Sequence, residues 1–199
     1  FLEMITYVNE QHDIFSHTVE KDYYVTMLLK LLSEKIPYIV FKGGTSLSKC
    51  YKVIKRFSED IDITIDDNLT QGQKKRVKQA IIDSAAELGM TIDNIENIRS
   101  RRDYNRYLIS YKSIFPYDEK GVVPTIILET SYISVSFPTN VLSVSSLIGD
   151  VLIENNLDLD DEYGLKPFDM KVQGLERTFV DKIFAICDYY LQDNINKHS

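Results

Sequence analysis

The stretch that decides the fold is residues 41–63, FKGGTSLSKCYKVIKRFSEDIDI. An apolar run, Ile36–Phe41, reads as a buried strand and is broken by Gly43 and Gly44. Leu47, Cys50, Tyr51 and Ile54 then recur at helical spacing, with Lys49, Lys52 and Lys55 off that face. Ile61, Ile63 and Ile65 alternate with Asp60, Asp62 and Thr64, the pattern of a half-buried strand. Two glycines let the backbone turn sharply and approach a ligand closely. The helix that follows offers its unpaired N–H groups to an anion, and Thr45 or Ser46 adds a hydroxyl. Residues two apart on a strand share a face, so Asp60 and Asp62 point together. Two carboxylates side by side repel unless a cation lies between them, and a hard ion such as Mg²⁺ suits oxygen ligands. A Gly-Gly-Thr turn or an Asp-x-Asp strand is, on its own, an ordinary structural feature. In this order and at this range the two point to phosphate and metal chemistry.

The rest of the chain reads outward from this unit. Val25, Leu28, Leu29 and Leu32 mark one face of a helix with Thr18 as its N-cap. A helix is predicted from Thr70 to Leu88, stopped by Gly89. Residues 91–115 read as two strands joined by an Arg-rich turn, and 124–137 (PTIILETSYISVSF) as β-rich. Helix is predicted over Val144–Ile153, a last strand over Phe168–Val172, and a strongly apolar helix over Leu175–Leu191. Strands and helices mix without strict alternation, which favours an α+β fold.

Composition removes several classes. Across 199 residues, hydrophobic residues are 44% and charged residues 27%, with 8 Gly and 5 Pro, so collagen-like and disordered chains are excluded. No apolar run approaches the length of a membrane span. Two cysteines make no disulfide framework and fit a reducing cytoplasm; Cys50 and Cys187 read as core. The histidines, His12, His17 and His198, have no ligand spacing. A net charge of −7 argues against binding nucleic acid by bulk charge. The charge is uneven, however. Lys42, Lys49, Lys52, Lys55 and Arg56 are followed by Lys74, Lys75, Arg76 and Lys78, while 150–169 is acidic. These runs read either as a local anion site or as solvated helix faces.

The G-G-[ST] turn, the helix and the Asp-x-Asp strand resemble the polymerase-beta-like nucleotidyltransferases. More narrowly, FKGGTSLSK followed by RFSEDIDI, with EKDYYVTMLL at 20–29 and ERTFVDKIFAICDYY at 176–190, resembles the AbiEii/AbiGii group of nucleotidyltransferase toxins. The resemblance implies a short mixed sheet flanked by helices, with further helical elements. It implies one nucleotidyltransferase domain over 1–199, divisible into a catalytic core at 1–140 and a C-terminal portion at 141–199. It also implies that a C-terminal helical part, with one more carboxylate, is missing. An apolar patch beside the 175–191 helix should then lie exposed.

The implied activity moves a nucleoside monophosphate from an NTP to an acceptor, with tRNA implied for several members and a cognate antitoxin as partner. Asp60 and Asp62 would bind Mg²⁺, while Gly43, Gly44, Thr45 and Ser46 would hold the β- and γ-phosphates. This fold usually presents three acids, and Glu129 is the candidate third, as metal ligand or base. It sits beside Ile126, Ile127 and Leu128, where an acid needs a partner; an arginine could also be that partner. Asp66, Asp67 and Asp118 fall in loop-like sequence and suit the role less. The resemblance places Lys182 on the triphosphate and Asp181 beside it, although Asp181 could simply pair with Arg177. Lys42 or Lys49 could offset triphosphate charge. Arg99, Arg101, Arg102 and Arg106 form a candidate RNA-backbone surface, or a solvated turn. Two alternatives stay open: an acceptor that is a small molecule or a protein hydroxyl, and a non-catalytic module that binds an antitoxin or a nucleotide.

Overall fold

The computed structural model describes residues 1–54, 58, 60–65, 69–116, 122–132, 136–159 and 162–191. Lys55, Arg56, Asp66, Asp67 and Asp118 lie outside them. The expected order of elements is present, with additions. Helix α1 (Leu2–His12) precedes α2 (Ser16–Lys35), then β1 (Ile39–Lys42), α3 (Gly43–Lys49), β2 (Asp60–Ile65) and α4 (Gln71–Glu87). There follow β3 (Thr91–Ile92), a 3-10 turn (Ile95–Asn97), β4 (Tyr104–Ser110), β5 (Thr125–Ser131), β6 (Thr139–Val144), α5 (Leu147–Glu154), β7 (Phe168–Gln173) and α6 (Leu175–Leu191). Strand β6 occupies sequence for which no strand was predicted.

Among the described residues the strands form one mixed seven-stranded sheet in the order β3-β4-β5-β2-β1-β7-β6. Pairs β2/β5 and β1/β7 are parallel and the rest antiparallel. The 140/141 boundary falls inside β6, and one sheet runs across both sides of it. Alternation along β2 turns Ile61, Ile63 and Ile65 into the main core, where they meet Val25, Leu28, Leu29 and Leu32 of α2 and Val77 and Ile81 of α4. A second cluster joins Ile5 and Val8 of α1 to Val19, Ile148 and Val151. The opposite face of β2 keeps its polar residues.

Two helix starts depart from expectation: α5 begins at Leu147, because the predicted first residue Val144 closes β6, and α2 begins before its expected cap. Thr70, the first residue of the predicted helix, caps α4 in a reciprocal box with Gln73. Thr18 does not cap α2; that helix begins at Ser16, behind Phe15, with no side-chain cap bond. Its first turns are instead fixed by charged residues that are buried: Glu20, Lys21 and Asp22 are at most 3% exposed. Glu20 accepts from Ser113 Oγ and Ile114 N, while Lys21 donates to the Val123 carbonyl. No described helix is long and apolar enough to cross a membrane.

A carboxylate row across the sheet

Strand register builds the site. Lys42 of β1 stands opposite Asp62 of β2, Asp62 opposite Glu129 of β5, and Glu129 opposite Arg106 of β4. Directly opposite residues share a face, so the four form a cation–acid–acid–cation row across four strands. Arg106 Nε lies 3.8 Å from Glu129 Oε1. Tyr104, two residues before Arg106, adds a phenol hydrogen-bonded to Glu129; burial first and then this bond push its pKa up to about 12. Asp60 lies at the exposed start of the strand.

Asp62 is the strained member of the row. Burial, and then the neighbouring Glu129 charge, push its carboxyl up to about 6 from an ordinary 3.8. The ammonium groups of Lys42 and Lys182 pull the other way without cancelling the rise. Gly43 presses on the same carboxylate. Its φ is +77°, and a Cβ added there would lie 1.9 Å from Asp62 Oδ2. The predicted turn is therefore present, and its glycine is demanded twice, by backbone conformation and by the acid it faces.

Several expected ligands have other partners. The Ser46 hydroxyl donates to the Gly43 carbonyl at 2.8 Å, and Thr45 Oγ1 bonds the Asp60 carbonyl and Ser58. Both side chains are at most 1% exposed, so they brace the turn rather than present hydroxyls to a phosphate. Helix α3 is also shorter than predicted and ends at Lys49. Lys49 does not join the row. Its Nζ is buried, 2.6 Å from Asp22 Oδ1 and 2.7 Å from Thr26 Oγ1, with the Ser145 carbonyl at 3.3 Å. Asp181 accepts from Gln173 Nε2 at 3.0 Å and Arg177 Nε at 2.9 Å, so both its oxygens tie α6 to β7 and to its own first turn. Lys182, one residue on, is exposed and close enough to act on Asp62.

The arginines divide. Arg106 belongs to the row, where it meets Glu129. Arg99 bonds the Glu96 and Ile98 carbonyls, Arg102 bonds the Asn97 carbonyl at 3.3 Å, and Arg101 is exposed. Their loop lies against α4 through the Lys74–Asp103 ion pair at 2.8 Å and the Lys78 bond to the Ile98 carbonyl. Cys50 is mostly buried, as predicted, and burial pushes its thiol up to about 12. Cys187 is exposed and is not core. Tyr190 is exposed as well, along with Phe179, Phe184 and Ile186, so the expected apolar patch on α6 is present. Tyr104 was missed by sequence reasoning. Its one signal is its spacing of two from Arg106, which shows only once β4 is paired with β5.

Among the described residues no three His, Cys, Asp or Glu side chains converge closely enough to hold a metal ion. The donor set nevertheless suits one: two carboxylates share a face, and burial and then the Glu129 charge raise the Asp62 carboxyl to about 6, a repulsion that a divalent cation between the two would relieve.

The profile of the family described as nucleotidyl transferase AbiEii toxin, type IV toxin–antitoxin system, matches residues 28–198. Among solved structures the chain is similar to MenT4, a nucleotidyltransferase toxin from Mycobacterium tuberculosis, with a TM-score of 0.57 at 18% identity. That match covers 92% of this chain and 57% of the solved one, so the chain spans a little over half the length of that structure. At this identity the likeness speaks for the fold. No curated protein matches the chain. The chain belongs to the AbiEii nucleotidyl transferase toxin family.

Proposed function

We propose that this member of the AbiEii family transfers a nucleoside monophosphate from an NTP to a hydroxyl of an RNA such as tRNA. It would act in the cytoplasm as the toxin of a pair whose antitoxin restrains it. The observation that carries this reading is the Lys42–Asp62–Glu129–Arg106 row with Gly43 set against Asp62. An NTP brings several negative charges, and Lys42 and Lys182 supply cations at the edge of the acid pair. Asp60, Asp62 and Glu129 are the residues that would hold Mg²⁺, which when bound supplies Lewis-acid polarisation of the phosphates.

The chain's own groups account for the rest. The Gly43–Gly44 backbone, with no side chain in the way, lets the polyphosphate approach Asp62. An acceptor hydroxyl beside Glu129 gives its proton to that carboxylate as its oxygen bonds the α-phosphorus. The bond from the α-phosphorus to the β-phosphate oxygen breaks, and pyrophosphate leaves with the electron pair. Arg106 and Tyr104 orient Glu129 for this step. Arg101, with Lys75 and Arg76 on α4, supplies exposed cations for an RNA backbone.

The test is incubation with α-labelled NTPs and total cellular RNA, with Mg²⁺ or with a chelator. Label that enters RNA, resists protease and is lost with chelator supports the reading. Label in protein or in small molecules overturns the acceptor, and no transfer to any acceptor overturns the activity.

A further inference from the structure

We propose that the Tyr104 hydroxyl is itself an acceptor: without RNA, the chain transfers a nucleoside monophosphate to its own Tyr104 and so disables its site. This rests on the nucleotidyltransferase reading above and adds a second substrate, the chain itself. Tyr104 opens β4 two residues before Arg106, which stands opposite Glu129. Residues two apart on a strand share a face, so the phenol projects from the side of the sheet that carries the carboxylate row. Its hydroxyl is hydrogen-bonded to Glu129, the carboxylate that receives the acceptor's proton in the transfer step. Tyr104 is also 49% exposed, so a nucleotide can reach it. Nearby hydroxyls are spoken for. Thr45 and Ser46 are at most 1% exposed and donate to the Asp60 and Gly43 carbonyls. Thr64, on the same face of β2 as Asp62, is buried and donates to the Ser131 carbonyl at 3.0 Å.

An acceptor hydroxyl must come within hydrogen-bond reach of its base. The phenol already meets that condition, and an RNA hydroxyl must displace it. A neutral phenol donates and an ionised carboxylate accepts, so the proton already points at Glu129. As the phenolic oxygen bonds the α-phosphorus, that proton passes to Glu129. The bond from the α-phosphorus to the β-phosphate oxygen breaks, and pyrophosphate leaves with the electron pair. The product is a phosphodiester on Tyr104. It carries one negative charge beside Asp62 and Glu129, which repel it, and it has no hydroxyl left to orient Glu129. The attached nucleoside also fills the space that the next acceptor needs. Self-transfer therefore turns the site off.

The test incubates the purified chain with Mg²⁺ and each of the four α-labelled NTPs, without RNA, and maps the label by peptide mass spectrometry. The expected result is one nucleoside monophosphate per chain, on Tyr104, surviving denaturation. The reaction lies within one chain, so its rate should not change with protein concentration. Tyr104→Phe should take up no label. Added cellular RNA competes for Glu129 and should suppress the self-labelling. Chain labelled beforehand and freed of NTP should transfer to RNA, with fresh NTP, in proportion to its unlabelled fraction. Label at another residue, uptake by Tyr104→Phe at the parent's rate, self-labelling undiminished by RNA, or full RNA transfer by the labelled chain overturns the proposal. If RNA is labelled and the chain alone never is, the proposal fails and the transferase reading stands. If neither is labelled, both fail. A melting curve of Tyr104→Phe shows that its fold is retained, and mapping on the unaltered chain decides the site independently of that variant.

Discussion

Gly43 and Asp62 are in contact such that a single methyl group on the glycine would overlap the carboxylate, 1.9 Å from its Oδ2. The turn and the acid therefore constrain each other: the strand places the carboxylate, and the glycine is what lets the chain pass it.

Gly43→Ala is expected to lower the melting temperature and abolish transfer together. Gly89→Ala is the control. Gly89 also has a positive φ, of +67°, but its added Cβ meets nothing within 4 Å. Its cost is the backbone term alone, about 1–2 kcal/mol. Gly43→Ala should cost more, by thermal or urea denaturation, because Asp62 must also move. Equal losses in the two variants would mean that the contact carries no strain.

Asp62 makes stability depend on pH in a defined direction. Its carboxyl titrates near 6 in the folded chain against 3.8 as its ordinary value. Between those values the folded chain holds the proton and the unfolded chain does not, so stability falls as pH rises from about 4 to about 6. At about 1.4 kcal/mol per unit the loss is capped at roughly 3 kcal/mol, and partial solvent access reduces it. Asp62→Asn should remove this slope and melt higher than the parent at pH 7.5 without divalent cations. Added Mg²⁺ should raise the parent's melting temperature and leave the variant's unchanged.

The Asp22–Lys49 pair should behave as a buried latch. The Lys49 and Asp22 side chains are 6% and 5% exposed, and Asp22 Oδ2 also accepts the Leu147 N–H at 2.7 Å. Asp22→Ala strands a buried ammonium and is expected to cost about 3–5 kcal/mol in urea denaturation. Replacing both residues together, Asp22→Leu with Lys49→Met, should recover much of that loss. A double variant as unstable as Asp22→Ala would show that the cost lies elsewhere, in the Leu147 contact.

The two thiols should separate by reactivity. Cys50 is raised to about 12 by burial, so iodoacetamide at pH 8 should leave it unmodified in the native chain. Cys187 is exposed and should be alkylated. Peptide mass mapping reads both, and native labelling of Cys50 would contradict its placement.

How much of this was legible in the sequence depends on the range of the interaction. The 41–63 unit could be read directly, because its turn and its strand alternation are local patterns. Glu129 could be nominated from an acid in an apolar strand, but its place opposite Asp62 and Arg106 is a matter of register between strands far apart in the chain. Lys49, off the apolar face, reads as a cation that either is solvated or offsets triphosphate charge; its actual partner lies 27 residues earlier on another helix. Glu20, Lys21 and Asp22 open the EKDYYVTMLL stretch that carries the family resemblance, but nothing local says that three consecutive charges are buried. Cys187 reads as core because an apolar helix face predicts burial without naming what covers it.

The central claim is that a nucleoside monophosphate, not a phosphoryl group, is transferred at Asp60 and Asp62. The most direct measurement supplies one NTP labelled either at the α- or at the γ-phosphate, with cellular RNA and Mg²⁺, and follows label into the acceptor. The account predicts acceptor labelling from the α-position only, release of labelled pyrophosphate from the γ-position, and no transfer by the Asp60→Asn, Asp62→Asn double variant. Acceptor labelling from the γ-position, or undiminished transfer by the double variant, would contradict it.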